Sequence, residues 1–177
     1  AMVTDAVWVD INSDKKIDLF IVGEWMEPKV LLQDVDGIFS KVDNQTIGLD
    51  VMSGWWFSVE TEDLDNDGDM DLVLGNLGEN YKYQASKEAP FKVFTKDFNE
   101  SGNTDIVLSY PQDGRYYPVR GKQCSSQQLP ELKEKFKDYN SFASADINDI
   151  YSELGLQDAI ELYANTFSSY ILQNTNG

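Results

Sequence analysis

The chain contains no histidine and only one cysteine among its 177 residues. Without histidine, neither a Ser-His-Asp nor a Cys-His catalytic arrangement can form, and the usual zinc ligand sets are missing. The single cysteine, Cys124, excludes an internal disulfide. No apolar run approaches the ~18 residues of a membrane-spanning helix, so no such segment is predicted. These absences leave oxygen ligands as the chemistry to consider.

Positive charge is scarce as well. Lysine and arginine number 14 against 31 acidic residues, and the formal net charge is −17. A surface this negative argues against nucleic acid or an anionic membrane as a partner. The hydrophobic content of 41% and the aromatic content of 12% nevertheless predict a folded domain with a real core.

Five of the 31 acidic residues lie in one nine-residue loop, in which aspartates occupy the odd positions and Gly68 the sixth. Ca²⁺ takes 6–8 oxygen ligands, which alternate side chains supply when the backbone curls tightly around the ion. The side chains at positions 1, 3, 5 and 9 and the backbone oxygen at position 7 form the predicted calcium cage. Its residues are Asp63, Asp65, Asp67, Asp69 (through its backbone oxygen) and Asp71.

Two weaker copies of this loop flank it. The first replaces glycine by Lys15, and the ligand charge falls from −4 in the central loop to −3 in the first and −2 in the third. Since affinity follows ligand charge and site rigidity, we rank them central, first, third. The predicted ligands are Asp10, Asn12, Asp14, Lys16 (backbone) and Asp18 in the first loop, and Asp97, Asn99, Ser101, Asn103 (backbone) and Asp105 in the third.

The residues that follow each loop argue against an EF-hand, which needs a bidentate Glu at position 12 and flanking helices. Position 12 is Ile21, Leu74 or Leu108, each within a short apolar run that is typical of a buried strand. Each loop is therefore predicted to join two strands of a hairpin. An acidic loop of this kind that serves only as a solvated turn remains the alternative.

A second hairpin pattern, at 30–39, recurs at 170–177. Units of about 40–60 residues with four strands indicate propeller blades. We therefore predict a mainly β fold in which residues 1–177 form about three blades, at about 1–45, 46–90 and 91–177. Closed propellers have about 4–8 blades, so this is a partial propeller. The blade-like pattern begins directly after Ala1-Met2, from which we expect a piece of a longer precursor.

A small helical insertion is predicted at 122–164, within the third blade. The spacing of its apolar residues indicates two or three helices, and Asp158 is placed as the cap of a last segment that runs through Ala164. The apolar positions are Leu129, Leu132, Phe136 and Tyr139, followed by Ile147, Ile150, Tyr151 and Leu154. Asp146 is interpreted as a helix-initiating residue rather than a fourth calcium ligand.

With these motifs, the chain resembles the FG-GAP/VCBS repeat family of calcium-loop propellers, which includes integrin α-subunit heads. Within it, the chain is most similar to the bacterial branch related to cartilage acidic protein, which often carries an ASPIC/UnbV domain. The matching stretches are 54–59, 63–72, 75–78 and 82–87, with 128–133, 145–150 and 164–170 in the insertion. The ASPIC/UnbV domain itself is absent from this sequence.

The resemblance implies a seven- or eight-bladed propeller, calcium in the blade hairpins, and an extracellular or cell-envelope location (periplasm or outer-membrane surface) in a bacterium. Lys15 in place of glycine and Ser101 in place of aspartate depart from the family pattern. The resemblance therefore implies calcium-ligand roles less strongly for the first and third loops than for the central one.

We expect a non-catalytic, calcium-stabilised module that recognises a protein or a surface glycan. Trp25 is the candidate aromatic ligand contact, whereas Trp55 and Trp56 are placed in the core. One alternative is a calcium-dependent carbohydrate-active hydrolase or lyase, in which Arg115 and Arg120 orient an anion. Another is a scaffold, or a homodimer that pairs through exposed blade edges.

Overall fold

The computed structural model describes residues 1–175, which form two compact units. The first contains residues 1–87 and the C-terminal segment from Ala164 onward, and the second contains Glu88–Tyr163. Asn176 and Gly177, the end of the predicted copy of the 30–39 hairpin, lie outside the described residues. The side chain of Leu154, part of the predicted helical face, lies outside them too.

The first unit is built on a seven-stranded antiparallel sheet. The strands are β1 (Met2–Val9), β2 (Asp18–Met26), β3 (Lys29–Gln33), β4 (Phe39–Lys41), β5 (Gly54–Glu62), β6 (Asp71–Asn76) and β11 (Tyr170–Leu172). Their order in the sheet is β11-β6-β5-β2-β3-β4, and β1 pairs with β2. The tight turn predicted within 30–39 is confirmed, because β3 pairs with β4 there.

The second unit has a four-stranded sheet, whose strands are β7 (Phe91–Lys96), β8 (Asp105–Gln112), β9 (Arg115–Pro118) and β10 (Ile160–Ala164). Their order in the sheet is β10-β7-β8-β9. Five short helices lie between β9 and β10: α1 (Lys122–Gln128), α2 (Leu132–Lys135), α3 (Tyr139–Ala143), α4 (Ile147–Tyr151) and α5 (Glu153–Gln157). The predicted mainly β fold with a small helical insertion is therefore confirmed. No helix in the described part of the chain is long and apolar enough to cross a membrane.

All three acidic loops connect paired strands, as predicted. The last residue of the preceding strand pairs with the ninth residue of the loop in each case: Val9 with Asp18, Glu62 with Asp71, and Lys96 with Asp105. The ninth residue is thus both the end of the loop and the start of the next strand. One hairpin geometry therefore presents all three loops.

Two predictions about the C-terminal third are wrong. The third blade does not extend to residue 177 as predicted, because β11 pairs with β6 and belongs to the first unit. The segment from Asp158 to Ala164 is not the predicted helical segment, because Ile160–Ala164 forms strand β10. Both errors concern strands whose partners are distant in sequence, so local patterning did not reveal the pairing.

The hydrophobic core of the first unit is formed by side chains of its strands and includes Phe20, Val22, Trp56 and Leu74, each at most 1% exposed. The indole Nε1 of Trp56 donates to the Met52 carbonyl at 3.2 Å. The predicted core position of Trp56 is therefore confirmed.

The helices of the second unit enclose a core of their own, with Leu129, Leu132, Phe136 and Ile150 buried as predicted. Tyr139 differs from the prediction, because it is 68% exposed. The helix breaks at Phe136 and restarts at Tyr139, so Tyr139 does not continue the apolar face. Asp146 begins α4 with a capping box, as its predicted helix-initiating role requires.

Candidate metal centre

The central loop folds around the carboxylate of its first aspartate. Asp63 Oδ1 accepts from the backbone N–H of Asp67 at 3.2 Å, and its Oδ2 accepts from that of Gly68 at 3.1 Å. The Asp67 carboxylate accepts in turn from the N–H of Asp69 at 2.9 Å. Left-handed φ angles of 64° at Asn66 and 99° at Gly68 allow the chain to curl this tightly.

The ninth residue of the central loop is a buried carboxylate fixed from two sides. Asp71 is 1% exposed. Its Oδ2 accepts from Leu64 N–H within the loop at 2.9 Å, and its Oδ1 accepts from Asn174 N–H beyond β11 at 2.8 Å. Backbone donors of this kind orient a carboxylate. The loop therefore closes on a carboxylate whose orientation is fixed from two sides.

Three carboxylates of the central loop converge. Asp63, Asp65 and Asp71 each place one oxygen within 4.8 Å of the others. Oxygens bound to one Ca²⁺ at about 2.4 Å lie no more than about 4.8 Å apart, so these atoms suit a common cation of that size. The donor set consists of oxygen, which is what hard cations such as Ca²⁺ select. The residues present therefore fit calcium.

The first loop has the same backbone arrangement, although it lacks the glycine. Asp10 accepts from Asp14 N–H at 3.1 Å and from Lys15 N–H at 2.8 Å. Lys15 itself adopts the left-handed conformation with φ 69°. The Lys15 substitution therefore preserves the turn, and the departure from the family pattern leaves the loop geometry intact.

The main peculiarity of the first loop is the Lys16 side chain, whose ammonium pairs with the Asp14 carboxylate. This hydrogen bond, helped by the Lys16 backbone N–H, holds the pKa of Asp14 below its usual range. The lysine thus places a positive charge on a predicted ligand. Any cation that binds the first loop has to compete with it.

The third loop repeats the arrangement with weaker ligands. Asp97 accepts from Ser101 N–H at 2.9 Å and from Gly102 N–H at 2.6 Å. Asp105, 8% exposed, accepts from Phe98 N–H at 3.1 Å and from the Gln128 side chain at 2.9 Å. In the described chain, three acidic groups cluster this closely only in the central loop.

Several residues that support these loops carry no motif of their own. Ser13 Oγ donates to Asp69 Oδ1 at 2.8 Å, which joins the first loop to the central one. The Asn174 side chain donates to the Ile11 carbonyl at 2.8 Å, and Gln173 donates to the Asp65 carboxylate. Two loops and the segment after β11 therefore form one hydrogen-bonded network. Sequence analysis missed these residues because their partners are remote in the chain.

The remaining predicted positions are placed as follows. Trp25 is half-buried rather than exposed, has a φ of 59°, and packs its ring against Trp55 with centroids 4.7 Å apart. Arg115 lies 3.5 Å from the Asp146 carboxylate, and Arg120 donates to the Gln128 side chain at 2.9 Å. Both arginines therefore already have partners within the second unit.

Residues 10–74 match the family model described as an FG-GAP-like repeat. This stretch includes the first and central loops and strands β2 to β5, so this part of the chain is similar to an FG-GAP-like repeat. No match was found among curated proteins or among solved structures. The bacterial branch stays a prediction.

Proposed function

We propose that this chain is a calcium-binding, non-catalytic recognition module with propeller-like β architecture that belongs to an exported bacterial protein. The observation that carries the proposal is the shared framework of the three loops. In each, the first aspartate accepts from the backbone N–H groups of positions 5 and 6, and the ninth accepts from that of position 2. An ordinary acidic turn has no reason to repeat this arrangement three times.

Calcium would be held most tightly by Asp63, Asp65, Asp67 and Asp71, with the backbone oxygen of Asp69. The first and third loops have fewer charges, and Lys16 competes in the first. Extracellular calcium modules bind with Kd values of about 10⁻⁴–10⁻³ M, so weak loops stay filled only where calcium is abundant. This consideration supports an extracellular or cell-envelope location.

The non-catalytic part of the proposal follows from how the candidate groups are used. Carboxylates that coordinate calcium are poor general acids, and Arg115 and Arg120 are engaged with Asp146 and Gln128. A hydrolase or lyase is therefore the weaker alternative. Recognition of a protein or a surface glycan requires an accessible surface, and the half-buried Trp25–Trp55 pair leaves part of its aromatic surface accessible.

Thermal unfolding in EDTA, in millimolar Ca²⁺ and in millimolar Mg²⁺ tests the proposal. A ligand that binds only the folded state stabilises it by RT ln(1 + [L]/Kd), about 1.4 kcal/mol per decade of excess. We expect a calcium-specific rise in the unfolding midpoint that Asp67→Ala largely removes. Asp36→Ala, which removes an exposed aspartate from the 34–38 turn, serves as the matched control and keeps the rise. Equal midpoints in EDTA and Ca²⁺ would contradict the proposal.

The recognition surface has its own test. Trp25→Ala removes one ring of the pair, and its effect on binding to immobilised surface glycans and to envelope proteins is measured in saturating calcium. Loss of binding with an unchanged unfolding midpoint supports recognition through Trp25. Unchanged binding places the recognition surface elsewhere on the module.

A further inference from the structure

A cavity of about 340 Å³ lies in the second unit, and none of its lining residues belongs to the three loops. Its floor is apolar and consists of Phe94 from β7, Ile147 from α4 and Leu156 from α5. Phe94 and Ile147 are 6% and 3% exposed and belong to one core cluster. The floor is therefore a fixed part of the hydrophobic core.

The wall is polar and holds one charge of each sign. The Lys92 ammonium lies 2.7 Å from a Glu161 carboxylate oxygen and 4.6 Å from the centroid of the Tyr116 ring. These three side chains come from β7, β10 and β9 of one sheet. Burial raises the pKa of the Tyr116 phenol, so the phenol stays protonated and able to donate a hydrogen bond at neutral pH. The wall thus offers donors and acceptors without net charge.

The opening of the cavity adds two amide side chains, Asn148 and Gln157. Helix α5, which carries Gln157, is tied to strand β7 by Lys96. The Lys96 ammonium donates to the Gly155 carbonyl at 3.3 Å and lies 3.8 Å from Asp158. Lys96 therefore ties helix α5 to the strand that also carries Lys92 and Phe94, whereas the side chains of Asn148 and Gln157 are exposed.

We propose that this cavity binds a single neutral pyranose sugar unit. Such a ring has an apolar face suited to the floor and equatorial hydroxyl groups suited to an ammonium, a carboxylate, a phenol and two amides. A free anion gains little from Lys92, because Glu161 already neutralises it in a chain of net charge −17. Small-molecule sites of this kind are concave, apolar at the base and fitted with a few fixed polar groups. No predicted calcium ligand lines the cavity, so this proposal goes beyond the proposed function.

Chemical-shift mapping by two-dimensional NMR of the full chain tests this inference. The probes are the methyl glycosides of glucose, galactose, mannose and N-acetylglucosamine, in both EDTA and Ca²⁺. Glycine, as a zwitterion, and inorganic phosphate, as an anion, are titrated separately. We expect at least one glycoside to shift the amide signals of β7, β9, α4 and β10 with equal affinity in both buffers. The outcome stays separate from that of the calcium experiment.

The double variant Lys92→Met/Glu161→Gln removes both charges together and leaves neither unpaired. We expect it to weaken glycoside binding about tenfold or more, and Tyr116→Phe to weaken it less. Lys133→Met, which changes an exposed residue outside the cavity, should leave the affinity unchanged. The unfolding midpoint of each variant reports whether the fold is kept.

Three results would overturn the inference. They are the absence of shifts with every glycoside, shifts that persist undiminished in a folded double variant, and saturable binding of glycine or phosphate in place of the glycosides.

Discussion

Lys16 distinguishes the first loop from the central one at the level of a single side chain. Its backbone oxygen is a predicted calcium ligand, while its ammonium occupies the Asp14 carboxylate. Calcium has to displace this ammonium before it can use Asp14. We therefore expect Lys16→Met to lower the calcium Kd of the first loop.

Isothermal titration of calcium into Asp67→Ala and into Asp67→Ala/Lys16→Met measures this effect, because the first substitution weakens the central site. Adding Lys41→Met in the same background removes an exposed lysine of strand β4 and is expected to change nothing. Calcium binding that is equal with and without Lys16→Met would mean that the ammonium does not compete.

Asp71 has a structural role besides its predicted metal role. Both of its oxygens accept backbone N–H groups, from Leu64 and Asn174, in a nearly fully buried position. In Asp71→Asn, an amide NH₂ faces one of these donors. An unsatisfied buried donor costs about 1–3 kcal/mol, so we expect that loss of unfolding free energy even without metal.

Urea unfolding in EDTA separates this structural effect from calcium binding. Asp65→Asn is the matched control, because Asp65 is an exposed predicted ligand of the same loop, and we expect it to change metal-free stability much less. Equal stability of Asp71→Asn and the unsubstituted chain in EDTA would show that Asp71 matters for the metal alone.

Among the elements, helix α4 packs on the third hairpin through Tyr151, whose ring centroid lies 5.2 Å from that of Phe98. Burial raises the pKa of the Tyr151 phenol above its ordinary value of 10.0. In the unfolded chain the phenol ionises first, so between the two pKa values the unfolded state binds fewer protons. Stability therefore falls as the pH rises through this range.

We expect the alkaline loss of stability to be shallower in Tyr151→Phe than in Tyr139→Phe, because Tyr139 is 68% exposed. Circular dichroism against pH, with phenolate absorbance followed in parallel, measures both variants. An equal loss of stability with rising alkaline pH in the two variants would show that Tyr151 ionisation is not linked to unfolding.

The elements that could be predicted from sequence are those whose information is local. A nine-residue loop between two apolar runs specifies a hairpin, and all three such hairpins form with the same register. The partner of an edge strand is not local information. The prediction that the third blade extends to residue 177 is therefore wrong for strand β11, which pairs with β6. The prediction of a helical segment at Ile160–Ala164 is wrong as well, although its β-branched and aromatic residues also suit a strand.

In the candidate site, too, only the residues whose role depends on local sequence could be predicted. The ligands within each loop follow from spacing, whereas their supports, Ser13, Asn174 and Gln128, lie 56, 103 and 23 residues from Asp69, Asp71 and Asp105. Ser, Asn and Gln occur throughout any surface. Only the three-dimensional fold identifies the ones that hold a loop in place.

For the whole molecule, the distribution of charge matters as much as its total. The three nine-residue loops contain 11 of the 31 acidic residues, five of them in the central loop. Repulsion among exposed charges is screened by salt, and the Debye length shrinks from about 10 Å at 0.1 M to about 3 Å at 1 M. Calcium bound as we propose would neutralise the same carboxylates directly. Salt and calcium should therefore relieve the same repulsion.

We accordingly expect sodium chloride to raise the unfolding midpoint more in EDTA than in saturating calcium, and the difference to shrink in Asp67→Ala. Potassium chloride is the control for a specific effect of sodium. A salt dependence that is equal with and without calcium would mean that the repulsion lies outside the loops. The loops would then contribute little to the stability of the acidic chain, whatever they bind.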